Sequence, residues 1–257
     1  MGRTEHEACD RSPIRSVERA RRDPARAVLE GFHPLKHALR FGASIEDAWA
    51  VDPETVEALA ASLAPDLAGR LRELVRPVAP TMLARLAPVA PVTGVIAIAR
   101  RPALDVTEVL HGDRRAPVVL LDSPTHLGNL GAAVRVAAAA GVAGVLTTGR
   151  QDPWHPAALR GSAGLHFALP VARIEALPQT RRPLIALHPD GEPLRPGAIP
   201  DDALLAFGSE RCGLGRELLE HAARRIAIPM RAGVSSLNLA SAVAVALYAW
   251  KLARSSD

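Results

Sequence analysis

Six short apolar runs crowd the second half of the chain: "PVVLLD" from Pro117, "GVLTT" from Gly144, "HFALPV" from His166, "PLIALH" from Pro183, "ALLAFG" from Ala203 and "RIAIPM" from Arg225. None is as long as an ordinary helix, and none alternates with polar residues. Each therefore reads as a strand covered on both faces. Helical stretches, "GAAVRVAAAAG" and "GRELLEHAA", stand between them. Strands alternating with helices in this way build an α/β fold around a mostly parallel sheet. Residues 239–250 contain no charged side chain, so the closing helix is expected to bury most of its surface. Its mouth is polar, with Ser235, Ser236 and Asn238 just ahead of it.

The 257 residues suffice for one large domain or two small ones. A hydrophobic content of 48 % with 23 % charge excludes a disordered chain. Aromatic residues make up only 3 %, so the core rests on Ala, Val, Leu and Ile. Lys36 and Lys251 are the only lysines, and the net charge is +4. Arginine forks onto phosphate, and a positive balance favours an anionic partner. "RSPIRSVERARRDPAR", beginning at Arg11, sets six arginines against Glu18 and Asp23. It reads either as a phosphate-contacting arm or as a solvated terminus. Cys9 and Cys212 do not make a disulfide framework, no run is long enough to span a membrane, and no signal stretch opens the chain. A cytoplasmic protein is expected.

Four segments follow. Residues 1–26 are a basic arm and residues 27–101 a small α/β domain. Residues 102–115 are a polar linker, and residues 116–257 hold the alternating strands and helices. In the small domain "PARAVLEGFHPLKHALRFG" reads as helical, with Pro34 interrupting or restarting it. "SIEDAWAV" and "PVTGVIAIAR" read as strands, and "ETVEALAASLAPDLAGRLRELV" as one or two helices broken near Pro65. His33 and His37 lie one helical turn apart, but two ligands without a third do not make a metal site.

Three loops have the composition of a site. "LLDSPTHLGNLGAAVR" passes from strand to helix with Asn129 between Gly128 and Leu130 and Arg135 one turn inside the helix. Such a turn can cradle phosphate, or Asn129 can be a plain cap with Arg135 on a solvated face. The G-x-G-x-x-G spacing is absent, which leaves Asp152 a weak candidate for a ribose-binding acid. "ALLAFGSERCGLG" sets Glu210 at the carboxyl end of a strand, where open α/β sheets bind ligands; capping the next helix is its plainer role. In "IPMRAGVSSLN" one polar residue, Ser235, suffices to cap the last helix, which leaves Ser236 and Asn238 over.

"GNLGAAVR", "LAFGSERCGLG" and "IPMRAGVSSLN", in this order and followed by an Ala-rich helix, resemble the three signature motifs of the SpoU/TrmH-type RNA ribose 2′-O-methyltransferases of the SPOUT superfamily. The resemblance spans residues 116–252 and includes "HPAALRGSAGLHFALPV" between the first two motifs. "LEGFHPLKHAL" is similar to the ribosomal-protein-like substrate-binding domain that often precedes the catalytic one. The resemblance implies a C-terminal trefoil-knotted parallel-sheet domain, a homodimer, S-adenosylmethionine as methyl donor, and ribosomal or transfer RNA as substrate, with neither metal nor membrane involved. It assigns catalytic roles to Asn129, Arg135, Glu210, Ser236 and Asn238. The donor pocket falls to Leu187, Gly208, Ile228 and Leu237. One position departs: Leu127 stands where the family commonly has Pro. Two other readings remain open, a non-catalytic RNA-binding protein with the same fold and a nucleotide-dependent enzyme of the doubly wound class.

Overall fold

The computed structural model describes residues 12–254, so Cys9 and the start of the expected arm lie outside them. The chain forms two compact units, Met1–Pro102 and Ala103–Asp257.

In the first unit α1 (Pro13–Arg22) precedes β1 (Arg26–Glu30), α2 (Phe32–Arg40), β2 (Ile45–Ala50), α3 (Pro53–Leu63), α4 (Ala68–Leu74), β3 (Val75–Pro77), α5 (Pro80–Leu86) and β4 (Val95–Arg100). The sheet order is β1-β4-β2-β3, with β4 antiparallel to β1 and β2. Two expectations change here. Residues 13–22, placed in the basic arm, form a helix whose Val17 and Ala20 are buried against Val28, Trp49 and Ile96. Arg15, Arg19 and Arg22 are exposed, Arg21 reaches the buried Glu30 at 2.7 Å, and one apolar stripe faces the sheet, which the charge count had obscured. Residues 26–30, read as helical, are a strand paired with β4, with Val28 opposite Ile98. The helix starts only after Gly31, and Pro34 sits in its first turn, where no backbone N–H is required.

The second unit opens with α6 (Val106–His111), inside the segment read as a linker. Asp105 caps it by accepting the Thr107 N–H at 2.8 Å, and Val109 and Leu110 are buried. The buried Arg182 donates to the carbonyls of Leu110 and Ala116, both at 2.9 Å, which fastens the segment down. Then come β5 (Val118–Leu121), α7 (Leu127–Ala140), β6 (Gly144–Thr147), α8 (Pro156–Gly161), β7 (Val171–Arg173), β8 (Leu184–Pro193), β9 (Leu204–Phe207), α9 (Arg216–His221), β10 (Arg224–Ala227) and α10 (Leu239–Arg254). Five of the six apolar runs supply strands, in a sheet of order β10-β8-β9-β5-β6-β7 whose pairs are all parallel. The sixth, "HFALPV", instead begins within a short 3-10 helix, Leu165–Ala168, and only its last residue, Val171, enters β7. β5, β6 and β9 are buried at every residue.

Two features of this sheet position a site. From β5 the chain proceeds outward through β6 and β7, whereas β9 lies on β5's other side. The loops after β5 and β9 therefore part company at the carboxyl ends of adjacent strands, the place where such sheets open a crevice. In addition, the β8–β10 register jumps from Arg225 opposite Ala186 to Ile226 opposite Glu192. Residues 187–191 leave the ladder as a result. The last helix packs on α7, burying Leu239, Val243, Leu247 and Trp250. It is not buried on most of its surface, however: Val245, Tyr248 and Leu252 form an exposed apolar stripe at helical spacing.

Candidate active site

The loop after β9 is drawn tight. A Cβ added at Gly208 would stand 2.1 Å from the carbonyl carbon of Gly213, so only glycine lets the two backbones meet there. Ser209 and Gly213 exchange both backbone hydrogen bonds at 3.0 Å, and the Ser209 hydroxyl accepts the Cys212 N–H at 3.2 Å. The far end of the loop is held by Asp122, at the end of β5, whose Oδ2 accepts the Gly215 N–H at 2.7 Å. The other oxygen of Asp122 accepts the Thr148 hydroxyl at 2.8 Å. Asp122 thus ties three strand ends together, and Glu210 is presented at the tip of the closed loop.

Glu210 faces the first turn of α7. Its Oε2 accepts the N–H and the hydroxyl of Thr125, at 3.1 and 2.9 Å, and its Oε1 accepts the Asn129 amide at 2.9 Å. Burial works against the charge of Glu210. The hydrogen bonds from Asn129, from its own backbone N–H and from Thr125 outweigh that burial and bring its pKa down to about 2. Asn129 passes the chain on, its Oδ1 accepting from Asn238 Nδ2 at 3.0 Å. Asn238 then caps α10, its Oδ1 accepting the N–H of Ala240 at 2.9 Å. One line of hydrogen bonds thus joins all three loops.

The geometry settles several of the open alternatives. The cap of α10 is Asn238, not Ser235. Asn129 is no cap, since α7 begins at Leu127 with His126 as its N-cap. Gly128 and Gly131 lie within the helix and do not form a phosphate cradle. A Cβ at Gly131 would stand 2.1 Å from the Ala158 carbonyl oxygen, so this glycine lets α8 approach. Asp152 shapes a turn by accepting the Trp154 N–H at 3.0 Å.

Beside the hydrogen-bonded line opens a cleft of about 780 Å³. Asn129, Glu210, Ser236 and Asn238 border it, as do Leu187, Gly208, Ile228 and Leu237. Leu214, Ile226 and Phe207 add apolar surface. Arg135 is the one expected site residue the chain does not bring there: it is exposed on α7 and does not line the cleft. Sequence reading missed Asp122, Thr125, His126 and His188. An acid ending a buried strand, as in "VVLLD", was the available signal for the first.

The SpoU rRNA methylase family model matches residues 116–248, which includes all three loops. The chain belongs to this family. A 23S rRNA (adenosine(1067)-2′-O)-methyltransferase of Streptomyces azureus is 30 % identical over 236 residues, covering 86 % of this chain and 84 % of that protein. An uncharacterized tRNA/rRNA methyltransferase of Synechocystis is 39 % identical over 130 residues, 47 % of each chain. The chain therefore spans about half the length of that relative. Among solved structures, the AdoMet-bound rRNA methyltransferase from Sinorhizobium meliloti superposes with a TM-score of 0.72 at 25 % identity, over 95 % of this chain and 93 % of that one.

Proposed function

We propose that this family member transfers a methyl group from S-adenosylmethionine to a ribose 2′-hydroxyl of ribosomal or transfer RNA. The observation that carries the reading is the hydrogen-bonded line from Glu210 through Asn129 to Asn238, which gathers the three family motifs around one cleft. The residues present fit the donor. An apolar floor of Leu187, Leu214 and Ile226 suits an adenine, and the backbone of Gly208, Ile228 and Leu237 offers the hydrogen-bonding edge that floor lacks. When bound, the donor supplies a methyl group made electrophilic by its sulfonium.

The chain's own residues supply alignment. Holding two reactants in attack geometry contributes about 7–11 kcal/mol at best, so rigid loops matter more here than any single charge. Glu210 serves by fixing Thr125 and Asn129, and Asn238 by seating the end of α10. Ser236 and Leu237 form the rim. Arg135 grips a phosphate beside the target ribose and steadies the oxygen as it loses its proton; a guanidinium is too weak a base to take that proton itself. Because Arg135 lies outside its own cleft, this role requires a homodimer in which it serves the second copy. The exposed stripe of Val245, Tyr248 and Leu252 on α10 supports such an interface. The knotted path of the C-terminal strands, RNA binding by the N-terminal unit and a cytoplasmic location belong to the same reading. RNA is the substrate because DNA has no 2′-hydroxyl to accept the group.

The test is transfer of labelled methyl from S-adenosylmethionine to unmodified ribosomal and transfer RNA transcripts. Incorporation into one class names the substrate. RNA binding without incorporation would instead favour a non-catalytic RNA-binding protein.

A further inference from the structure

Some surface arginines of the C-terminal unit have an acid of their own: Arg216 pairs with Glu220 at 2.6 Å and Arg224 with Glu192 at 3.0 Å. Arg150 and Arg173 are exposed too, yet no carboxylate pairs with either among the described residues. Both stand at the carboxyl end of the parallel sheet, Arg150 in the loop after β6 and Arg173 as the last residue of β7. The acids of the neighbouring loops are engaged elsewhere. Asp122 accepts the hydroxyls of Thr148 and Ser123 at 2.8 and 3.2 Å, and Asp152 accepts the Trp154 N–H at 3.0 Å.

The ground beneath the two arginines is firm. Arg173 Nη1 donates to the Gly149 carbonyl at 3.3 Å, which lays its guanidinium on the residue next to Arg150 and leaves the rest of the fork to solvent. A Cβ at Gly149 would stand 3.0 Å from the Ser123 Cα, and Ser123 donates its N–H to the Thr148 hydroxyl at 2.9 Å. The loops after β5 and β6 are therefore pressed into one piece. Gln151 Nε2 reaches the Thr125 carbonyl at 3.4 Å, and Thr125 is held by Glu210. The arginines thus ride on the same loops that present Asn129 and Glu210 to the cleft. Two neighbouring cations without an acid repel each other, and a phosphate that accepts from both removes that repulsion.

We infer that Arg150 and Arg173 form a clamp for successive backbone phosphates of the RNA strand that flanks the target ribose. The clamp holds the strand by charge and shape, carries no base specificity, and positions the ribose over the cleft. This inference rests on the methyltransferase reading above and deepens it by naming the path of the substrate backbone.

The experiment uses the full chain, S-adenosylmethionine, and unmodified ribosomal and transfer RNA transcripts. In the double variant Arg150→Ala with Arg173→Ala, the slope of log affinity against log salt should fall by about 1.4, since each phosphate contact on a single strand contributes about 0.7. Between about 1 M and about 0.15 M salt that slope loss amounts to roughly tenfold weaker RNA binding. KM for RNA should rise by the same factor, while kcat and donor affinity stay within about twofold of the parental values. Replacing both arginines by lysine should keep the parental slope, and so should Arg72→Ala, because Arg72 already has Glu57. Independently of turnover, phenylglyoxal, which modifies guanidinium groups, should label Arg150 and Arg173 in the free protein, and bound RNA should block both. A parental slope in the double alanine variant, or labelling indifferent to RNA, would overturn the clamp alone. Donor affinity lost together with RNA affinity would overturn it as well, because the arginines would then be holding the loops and not the strand. A parental protein that binds RNA but methylates none would overturn the reading of the cleft, and the slope then decides the clamp by itself. A parental protein that binds neither transcript would overturn both.

Discussion

In the N-terminal unit, arginines meet carboxylates of the same unit. Arg40 reaches Asp66 at 2.5 Å, Arg26 reaches Glu46 at 2.7 Å, Arg100 reaches Glu46 at 3.0 Å, and Arg72 pairs with Glu57. In the C-terminal unit Glu210 has no cationic partner among the described residues and is held by amides and a hydroxyl instead. Exposed ion pairs in water are worth little, and either side chain can leave without disturbing the backbone. A carboxylate bound by neutral donors from separate loops fixes those loops relative to one another. The difference teaches where charge is ordinary surface and where polarity is architecture. It also means that much of the N-terminal arginine is already neutralised within its own unit, so arginine count alone is a poor guide to an RNA-binding face.

The largest effect should come from Gly208→Ala. Its Cβ would overlap the Gly213 backbone, and calorimetry should show donor affinity falling by about 10²-fold, the upper end of what overpacking costs. Retained affinity would mean that the tight loop does not shape the pocket. Next comes Asn129→Ala, which cuts the line between Glu210 and Asn238; methyl transfer should drop by about tenfold or more. Leu252→Glu should shift the protein from dimer to monomer in sedimentation, and an unchanged mass would remove the interface from α10. Smaller still is the pH effect of Glu210. Its folded pKa of about 2 lies below the 4.5 of the free group, so its contribution to stability is fully present above pH 4.5 and is lost as pH falls towards 2. The melting difference between the parental protein and Glu210→Gln should hold steady at neutral pH and shrink across that acid window. The smallest change is expected for Arg72→Ala, whose partner Glu57 is exposed, so the denaturant-unfolding midpoint should stay where it is in the parental protein. A clear drop there would erase the distinction between the two units.

Much of the parallel sheet was readable because five uninterrupted apolar runs have few places to go but a covered sheet; "HFALPV", which contains a histidine and a proline, starts as a 3-10 helix instead. The N-terminal unit was less so. "RAVLE" is short and has no helical or strand period of its own, and only its pairing with β4 makes it a strand. The helix α1 hid in an arginine-rich stretch because two buried residues, Val17 and Ala20, are too few to stand out from the charge. At the site, the residue types were legible but their partners were not. Nothing in the local sequence says that Glu210 answers Thr125 and Asn129, since those contacts link positions 85 and 81 residues apart, respectively. Likewise the exposure of Arg135 depends on which side of α7 faces α10, which composition leaves open.

The central claim is that the three loops form one site that methylates a ribose hydroxyl. The most direct measurement is the identity of the product: RNA incubated with the protein and labelled S-adenosylmethionine, then digested with alkali and examined by nucleoside mass spectrometry. A 2′-O-methylated nucleotide, visible as an alkali-resistant linkage and formed about tenfold or more slowly by the Asn129→Ala protein, is the predicted result. Label on a base, or a full yield of product from Asn129→Ala, would contradict it.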